Sequence, residues 1–303
     1  MMTKPLTGLM LIMLGSADLA MGHDGSDVLL NLLAVISADN DVRVTEADGF
    51  RFIEANGLPD HPTGDFPNRH NPNRISEQRY RFRMPLKPVI AEQPTPVRMH
   101  PFGVALNGIP FDPGAAEFWR RDPNSGWQYE AMSGAIDLGL DDSHAHVQPN
   151  GAYHYHGIPV RLVLKLAEAD SMTLVGYGGD GFPVYAVLGY RTPGDRDSGL
   201  VKLKSGYQLK SGRRAEGNDG PGGPYDGTFV QDYEFVPDSG DLDECNGRFG
   251  VTPEYPDGTY YYVLTDTFPF IPRMLKGTLD ASFRRGPPER GQGRPGSPPG
   301  PRR

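Results

Sequence analysis

The chain has 303 residues, a net charge of −8 and a hydrophobic content of 37%, which is enough for one sizeable core and too acidic for nucleic acid or anionic lipid as a partner. Its 39 glycines and 30 prolines disfavour long helices and favour short strands joined by turns. A single cysteine, Cys245, excludes an internal disulfide, so stability has to come from burial, and a buried thiol is the expectation at that position.

Residues 1–22 read as a secretory signal. Lys4 supplies the positive charge, and Leu6 to Leu14 form an apolar run well short of the ~20 residues that span a bilayer. Cleavage after Ala17 or after Gly22 satisfies the small-x-small pattern, and the second would leave His23 as an N-terminal copper chelate. A periplasmic or secreted location is therefore expected, with no transmembrane segment. Asp27 to Ile36 is compatible with a short helix or a strand.

From Asp41 the pattern alternates through Val42, Val44, Phe50, Phe52 and Ile53, which predicts two strands around an Ala47-Asp48-Gly49 turn. Gly57 to Asn73 carries four prolines and reads as loop, and Arg79 to Met84 as a strand with one polar face. A strand pair turning at Asn107-Gly108 is expected between Val97 and Phe111, then one helical turn between Pro113 and Trp119. The best helix candidate is Val160 to Ala169. Met172–Tyr177 and Phe182–Tyr190 flank Gly179-Asp180-Gly181 as a hairpin, Gly212 to Gly227 is a glycine-rich loop, and Phe229–Val236 and Gly258–Asp266 are further strands. These elements predict a mainly β fold: a single antiparallel sandwich- or barrel-like domain over residues 23–283 with a minor helix, α+β being the alternative. Residues 284–303 are rich in Pro, Gly and Arg, have nothing to build a core and are expected to be disordered.

Half of the eight histidines fall in one stretch, Asp142-Ser-His144-Ala-His146-Val-Gln-Pro149-Asn150-Gly151-Ala-Tyr153-His154-Tyr155-His156. In strands, residues two apart share a face, so His144 pairs with His146 and His154 with His156. A two-residue loop at Pro149-Asn150 would put the pairs on opposite faces. A three-residue loop, Pro149-Asn150-Gly151, would set His146 opposite His154 and His144 opposite His156. Proline cannot take the positive φ that two-residue loops need, whereas a type I turn closed by a left-handed glycine suits this order. The expectation is one patch of four imidazoles, His144, His146, His154 and His156, able to share a transition metal such as copper or zinc. Asp141 or Asp142 is placed to orient a ligand ring, while Tyr153 and Tyr155, on the other face, are expected in the core.

The Tyr153-His-Tyr-His156 run resembles the signature of the bacterial YHYH domain family. The likeness extends to His61-Pro-Thr-Gly-Asp-Phe-Pro67, Val104-Ala-Leu-Asn107-Gly108-Ile-Pro110-Phe111-Asp112-Pro113, Gly178-Gly-Asp180-Gly181-Phe182-Pro183, Gly240-Asp-Leu-Asp-Glu-Cys-Asn-Gly247 and Thr252-Pro-Glu254-Tyr-Pro-Asp-Gly258, across about residues 45–283. The resemblance implies a secreted or periplasmic protein and no particular reaction. It also makes Asp180, Glu254 and Asp257 candidate acid/base partners. Tyr260-Tyr261-Tyr262 departs from relatives that carry histidine there.

Asp238, Asp241, Asp243, Glu244 and Asn246 form an acidic cluster whose oxygen ligands suit calcium, although its spacing is not that of an EF-hand. Gly176-Tyr-Gly178-Gly-Asp-Gly181 spells G-x-G-x-x-G but leads into Phe182-Pro183, not into a helix, so no dinucleotide site is expected. Three functions compete on this sequence: an exported metalloenzyme, a non-catalytic metal carrier or storage module, and a secreted recognition domain for carbohydrate or another ligand.

Overall fold

The computed structural model describes residues 40–284. The signal, the Asp27–Ile36 element and the tail lie outside the described residues. The strands are β1 (Val42–Ala47), β2 (Phe50–Ala55), β3 (Tyr80–Pro85), β4 (Thr95–Pro96), β5 (Gly103–Ala105), β6 (Pro110–Phe111), β7 (Ala145–Val147) and β8 (Tyr153–Tyr155). After the helix α1 (Val160–Leu166) come β9 (Thr173–Gly178), β10 (Pro183–Ala186), β11 (Leu188–Tyr190), β12 (Leu200–Lys202), β13 (Tyr207–Leu209), β14 (Tyr233–Phe235), β15 (Gly247–Gly250), β16 (Thr259–Leu264) and β17 (Met274–Leu275). The fold is mainly β with a minor helix.

β1, β2 and β3 form an antiparallel meander. Asp48 and Gly49, both at positive φ (51° and 80°), make the two-residue turn whose twist matches its strands. On β3 the alternation is clean: Phe82 and Met84 are buried while Arg81 and Arg83 face out.

The main sheet has eight strands in the order β15-β16-β10-β9-β5-β6-β8-β7 and does not close into a barrel. Two of its joins, β10 with β16 and β6 with β8, are parallel, so it is not purely antiparallel. β16 is covered on both faces. Tyr260, Tyr262 and Leu264 enter the principal core, and Tyr261 and Val263 enter a second cluster with Tyr185 and Leu203. A strand buried on both sides has no polar alternation, which is why Tyr260-Tyr261-Tyr262 reads as an apolar run. Each fully buried large side chain contributes ~1.5–3 kcal/mol, so the tyrosine-rich centre carries much of the stability that a disulfide cannot supply.

Two local expectations change. The helix stops at Leu166, three residues early, because Ala167 turns extended and Asp170 is left-handed at φ 56°. The helical turn expected within Pro113–Trp119 is replaced by a 3-10 turn at Trp119–Arg121, where Phe118 bridges to Gln128.

Candidate metal centre

β7 and β8 pair with Ala145 opposite Tyr155, His146 opposite His154 and Val147 opposite Tyr153. This is the three-residue-loop register. Gly151 sits at φ 86°, its N–H donates to the Gln148 carbonyl at 2.8 Å, and the Gln148 N–H donates to the Ala152 carbonyl at 2.9 Å. β7 is the sheet's end strand, and β8 lies next to it with β6 on its other side. Its tyrosines enter the core, and its histidines face a separate wall formed by Leu138 and Ala115.

Three rings converge. The Nε2 atoms of His154 and His156 are 3.0 Å apart, and those of His156 and His146 are 3.1 Å apart. Among the described residues, His146, His154 and His156 are the group of three whose ligand atoms could hold one ion, all lying within 4.8 Å of one another. The outer nitrogens are fixed by main-chain carbonyls: His146 Nδ1 donates to Leu138 O at 2.9 Å and His154 Nδ1 to Ala152 O at 3.1 Å. A carbonyl only accepts, so these bonds put the proton on Nδ1 and leave Nε2 of both rings as a lone pair. Those lone pairs point at His156 Nε2. One ring proton can bridge two of the three nitrogens, whereas a cation bridges all three. Nitrogens ~2.0–2.1 Å from a tetrahedral ion lie ~3.3–3.4 Å apart, so movements of a few tenths of an ångström would seat one. The residues fit a transition metal.

His144 is not in this group. Its backbone is left-handed at φ 54°, which breaks the strand alternation. Its Nδ1 donates to Ile158 O at 2.8 Å, and its carbonyl accepts the His156 N–H at 2.7 Å. The expected patch of four is therefore a cluster of three with the fourth acting through its backbone. Asp141 and Asp142 do not orient a ligand ring either. Asp141 Oδ1 accepts the N–H groups of Ser143 (2.8 Å) and Ala145 (3.2 Å), and its Oδ2 accepts the Tyr153 hydroxyl at 2.6 Å. Asp142 meets Arg161 at 3.3 Å on the surface.

The three histidines form one wall of a cavity of about 450 Å³, and Met99, Glu117 and His70 lie elsewhere on its lining. His70 Nε2 is 3.3 Å from Asp137 Oδ2 at the rim. His154 and His156 are buried and His146 half-buried. His70 and Glu117 reach the site from loops distant in sequence, and the Leu138 carbonyl, eight residues before His146, from an irregular segment, so none of them carried a local signal.

The other candidates lie elsewhere. Asp180 is buried in the β9–β10 turn, where Tyr262 OH (2.5 Å) and Gly277 N–H (2.8 Å) donate to its Oδ2. Burial pushes its carboxyl up to about 6 against those hydrogen bonds. Glu254 accepts the Tyr185 hydroxyl at 2.5 Å and Asp257 is exposed; neither they nor Asp180 line the histidine cavity. In the acidic loop Asp243 Oδ1 takes the N–H groups of Cys245 (2.9 Å) and Gly247 (3.2 Å) and the Tyr260 hydroxyl (2.8 Å), and Asp243 Oδ2 takes Lys276 Nζ (2.9 Å). Asn246 is buried and donates to Val263 O at 2.8 Å. These groups serve as internal acceptors and donors and do not gather into an ion-holding set. Gly176 to Gly181 runs strand to strand, without the helix that a dinucleotide would need. No helix among the described residues is long and apolar enough to cross a membrane.

No curated protein and no solved structure matches the chain. One family model does, described as YHYH protein, and it matches residues 81–277. That span holds β4 to β17, including the histidine hairpin and its facing wall, and on it the chain belongs to the YHYH family.

Proposed function

We propose that this is an exported metal-dependent protein whose His146, His154 and His156 hold one transition metal ion, copper or zinc, beside a cavity that admits a small ligand. The observation that carries the reading is the convergence of three Nε2 atoms with separations of 3.0 and 3.1 Å, two of them set by carbonyl bonds at Nδ1. Imidazole suits both metals. Three protein ligands next to a cavity of about 450 Å³ match the pattern of catalytic sites, which keep a position for water or substrate, better than the closed four-ligand pattern of structural sites. A metalloenzyme is thus favoured over a carrier. Such an ion supplies Lewis-acid activation of water or of a bound oxygen, or one-electron chemistry if it is copper. His70 and Glu117, on the same lining, are the groups suited to carry protons. Export rests on the charged and apolar N-terminal sequence.

The test is the metal content of untagged protein purified without chelators, compared with a His154→Ala/His156→Ala double variant. Near-stoichiometric copper or zinc in the first and none in the second is expected. Absence of metal from both, with the variant still folded, would overturn the metal reading and leave ligand recognition by the cavity. The intact mass of protein recovered from the periplasm or medium checks export, since a processed chain starts at residue 18 or 23.

A further inference from the structure

The strand that carries two of the three histidines is held from its other face. Tyr153 and Tyr155 alternate with His154 and His156, are fully buried, and both end in committed hydroxyls. The Tyr153 hydroxyl donates to Asp141 Oδ2 at 2.6 Å. The same carboxylate takes the N–H groups of Ser143 and Ala145, which lead into β7, and the Gly64 N–H at 3.2 Å. One side chain therefore ties the start of β7 to the start of β8. The Tyr155 hydroxyl lies 2.6 Å from His61 Nε2 and 2.9 Å from Asn107 Nδ2. His61 Nδ1 is bonded to the Pro62 carbonyl at 3.0 Å, which puts the ring proton there and makes Nε2 an acceptor. The directions follow: Tyr155 donates to His61 and accepts from Asn107. Asn107 Nδ2 also donates to Asp60 Oδ1 at 2.8 Å, and Asp60 Oδ2 meets Lys165 of α1 at 2.6 Å. Burial raises the Asp60 carboxyl, but the Lys165 and Asn107 hydrogen bonds outweigh it and leave the group below its ordinary value, so it stays a charged anchor.

We infer that Tyr153 and Tyr155 are positioning residues for the metal centre. Their hydroxyls fix the height and tilt of β8, and so the convergence of His154 and His156 on His146. The inference rests on the metal reading. The physical reason is the pleat: adjacent residues share a backbone, so a strand pinned through 153 and 155 cannot rotate 154 and 156 away from the third ring. Main-chain carbonyls set the tautomers of His146 and His154, and the tyrosines set where the β8 rings stand.

The test compares wild type with Tyr153→Phe, Tyr155→Phe and Asp60→Asn, the last changing the network at its surface end with little effect on packing. Tyr261→Phe is the control: it is also a fully buried tyrosine, its hydroxyl accepts Arg248 Nε at 2.7 Å, and it lies in the second core cluster. Zinc(II) affinity is read by chelator competition, and the visible ligand-field bands of the cobalt(II)-loaded protein report ligand geometry. A loss of ~10–100-fold in affinity is expected for each Tyr→Phe variant near the site, with shifted cobalt bands, since outer-shell partners of metal ligands act on that scale. Asp60→Asn should lose less, and Tyr261→Phe should change stability alone. Wild-type affinity and an unchanged cobalt spectrum in Tyr153→Phe, Tyr155→Phe and Asp60→Asn would overturn the positioning role while leaving the metal centre intact. Wild-type protein that binds neither ion would overturn both. If Tyr155→Phe does not fold, Asp60→Asn decides for Tyr155, and if Tyr153→Phe does not fold, Asp141→Asn decides for Tyr153: weaker binding supports the role, and unchanged binding refutes it.

Discussion

The carbonyl of His144 accepts the N–H of His156 at 2.7 Å, while the His144 ring turns away to Ile158. His144 therefore serves the cluster through its backbone, which any residue tolerating a positive φ can supply. His144→Ala should keep near-stoichiometric metal and lose about 1 kcal/mol of stability from the lost ring bond to Ile158. His146→Ala, His154→Ala and His156→Ala should each lose the ion. Metal analysis of the four single variants decides the matter. Equal loss in all four would restore a four-histidine site and sink the three-ligand geometry.

The register that brings His146 to His154 depends on Gly151. At φ 86° a Cβ is strained, and one placed there would also run into Ser76 Oγ and lie 3.2 Å from the Arg74 carbonyl. Gly151→Ala should cost about 1–2 kcal/mol from the left-handed conformation alone and weaken metal binding as the loop shifts. Ser76→Gly in the same chain should recover the collision but not the backbone strain. Urea midpoints of the single and double variants would show it, and a midpoint unchanged in Gly151→Ala would refute the turn assignment.

These two positions mark how far the sequence could be read. The Pro149-Asn150-Gly151 order determined the loop, and the loop determined that His146 opposes His154. Asp48-Gly49 likewise placed β1 against β2. His144 could not be read, because its left-handed φ is imposed by the Asp141 turn, whose partners Tyr153 and Gly64 are distant in sequence. The wall opposite the histidines combines the long segment between β6 and β7, which has almost no periodic signal, with the loop between β2 and β3 that carries His70, so Glu117, Leu138 and His70 were invisible as neighbours. The parallel joins of β6 with β8 and of β10 with β16 escaped for a related reason: strands brought together across a long crossover leave no turn motif. Local chemistry was legible, and long-range pairing was not.

Cys245 is buried, and burial, followed by the charge of Asp243, pushes its thiol up to about 12. The thiolate is the reactive form. Native protein at pH 8 should therefore resist an alkylating reagent and react with one equivalent only after unfolding. Thiol counting by mass, with and without denaturant, measures this. Rapid labelling of the native chain would show that the strand around Gly247 opens readily and that the acidic loop is less firmly bound than its hydrogen bonds indicate.

Asp180 should give the protein an acid-side stability limb. Its ordinary value of 3.8 is raised to about 6 by burial, against hydrogen bonds from Tyr262, Gly277 and Phe182. The folded state thus holds the proton more tightly than the unfolded chain. The stabilisation is complete below the unfolded value and is lost as pH rises through the folded one, in the window from about 4 to 6. Two pH units correspond to roughly 3 kcal/mol at most. Asp60 and Asp280 are lowered and pull the other way, so the total profile mixes both signs. The Asp180→Asn variant isolates one of them. It cannot ionise, keeps an acceptor for Tyr262 or Gly277, and should be flatter than wild type between pH 4 and 6.5. Its stability relative to wild type should rise with pH across that window. Denaturant midpoints at half-unit intervals would show this, and parallel profiles would mean that Asp180 is already ionised in the folded protein at pH 4, held by Tyr262 and Gly277 more strongly than burial opposes it.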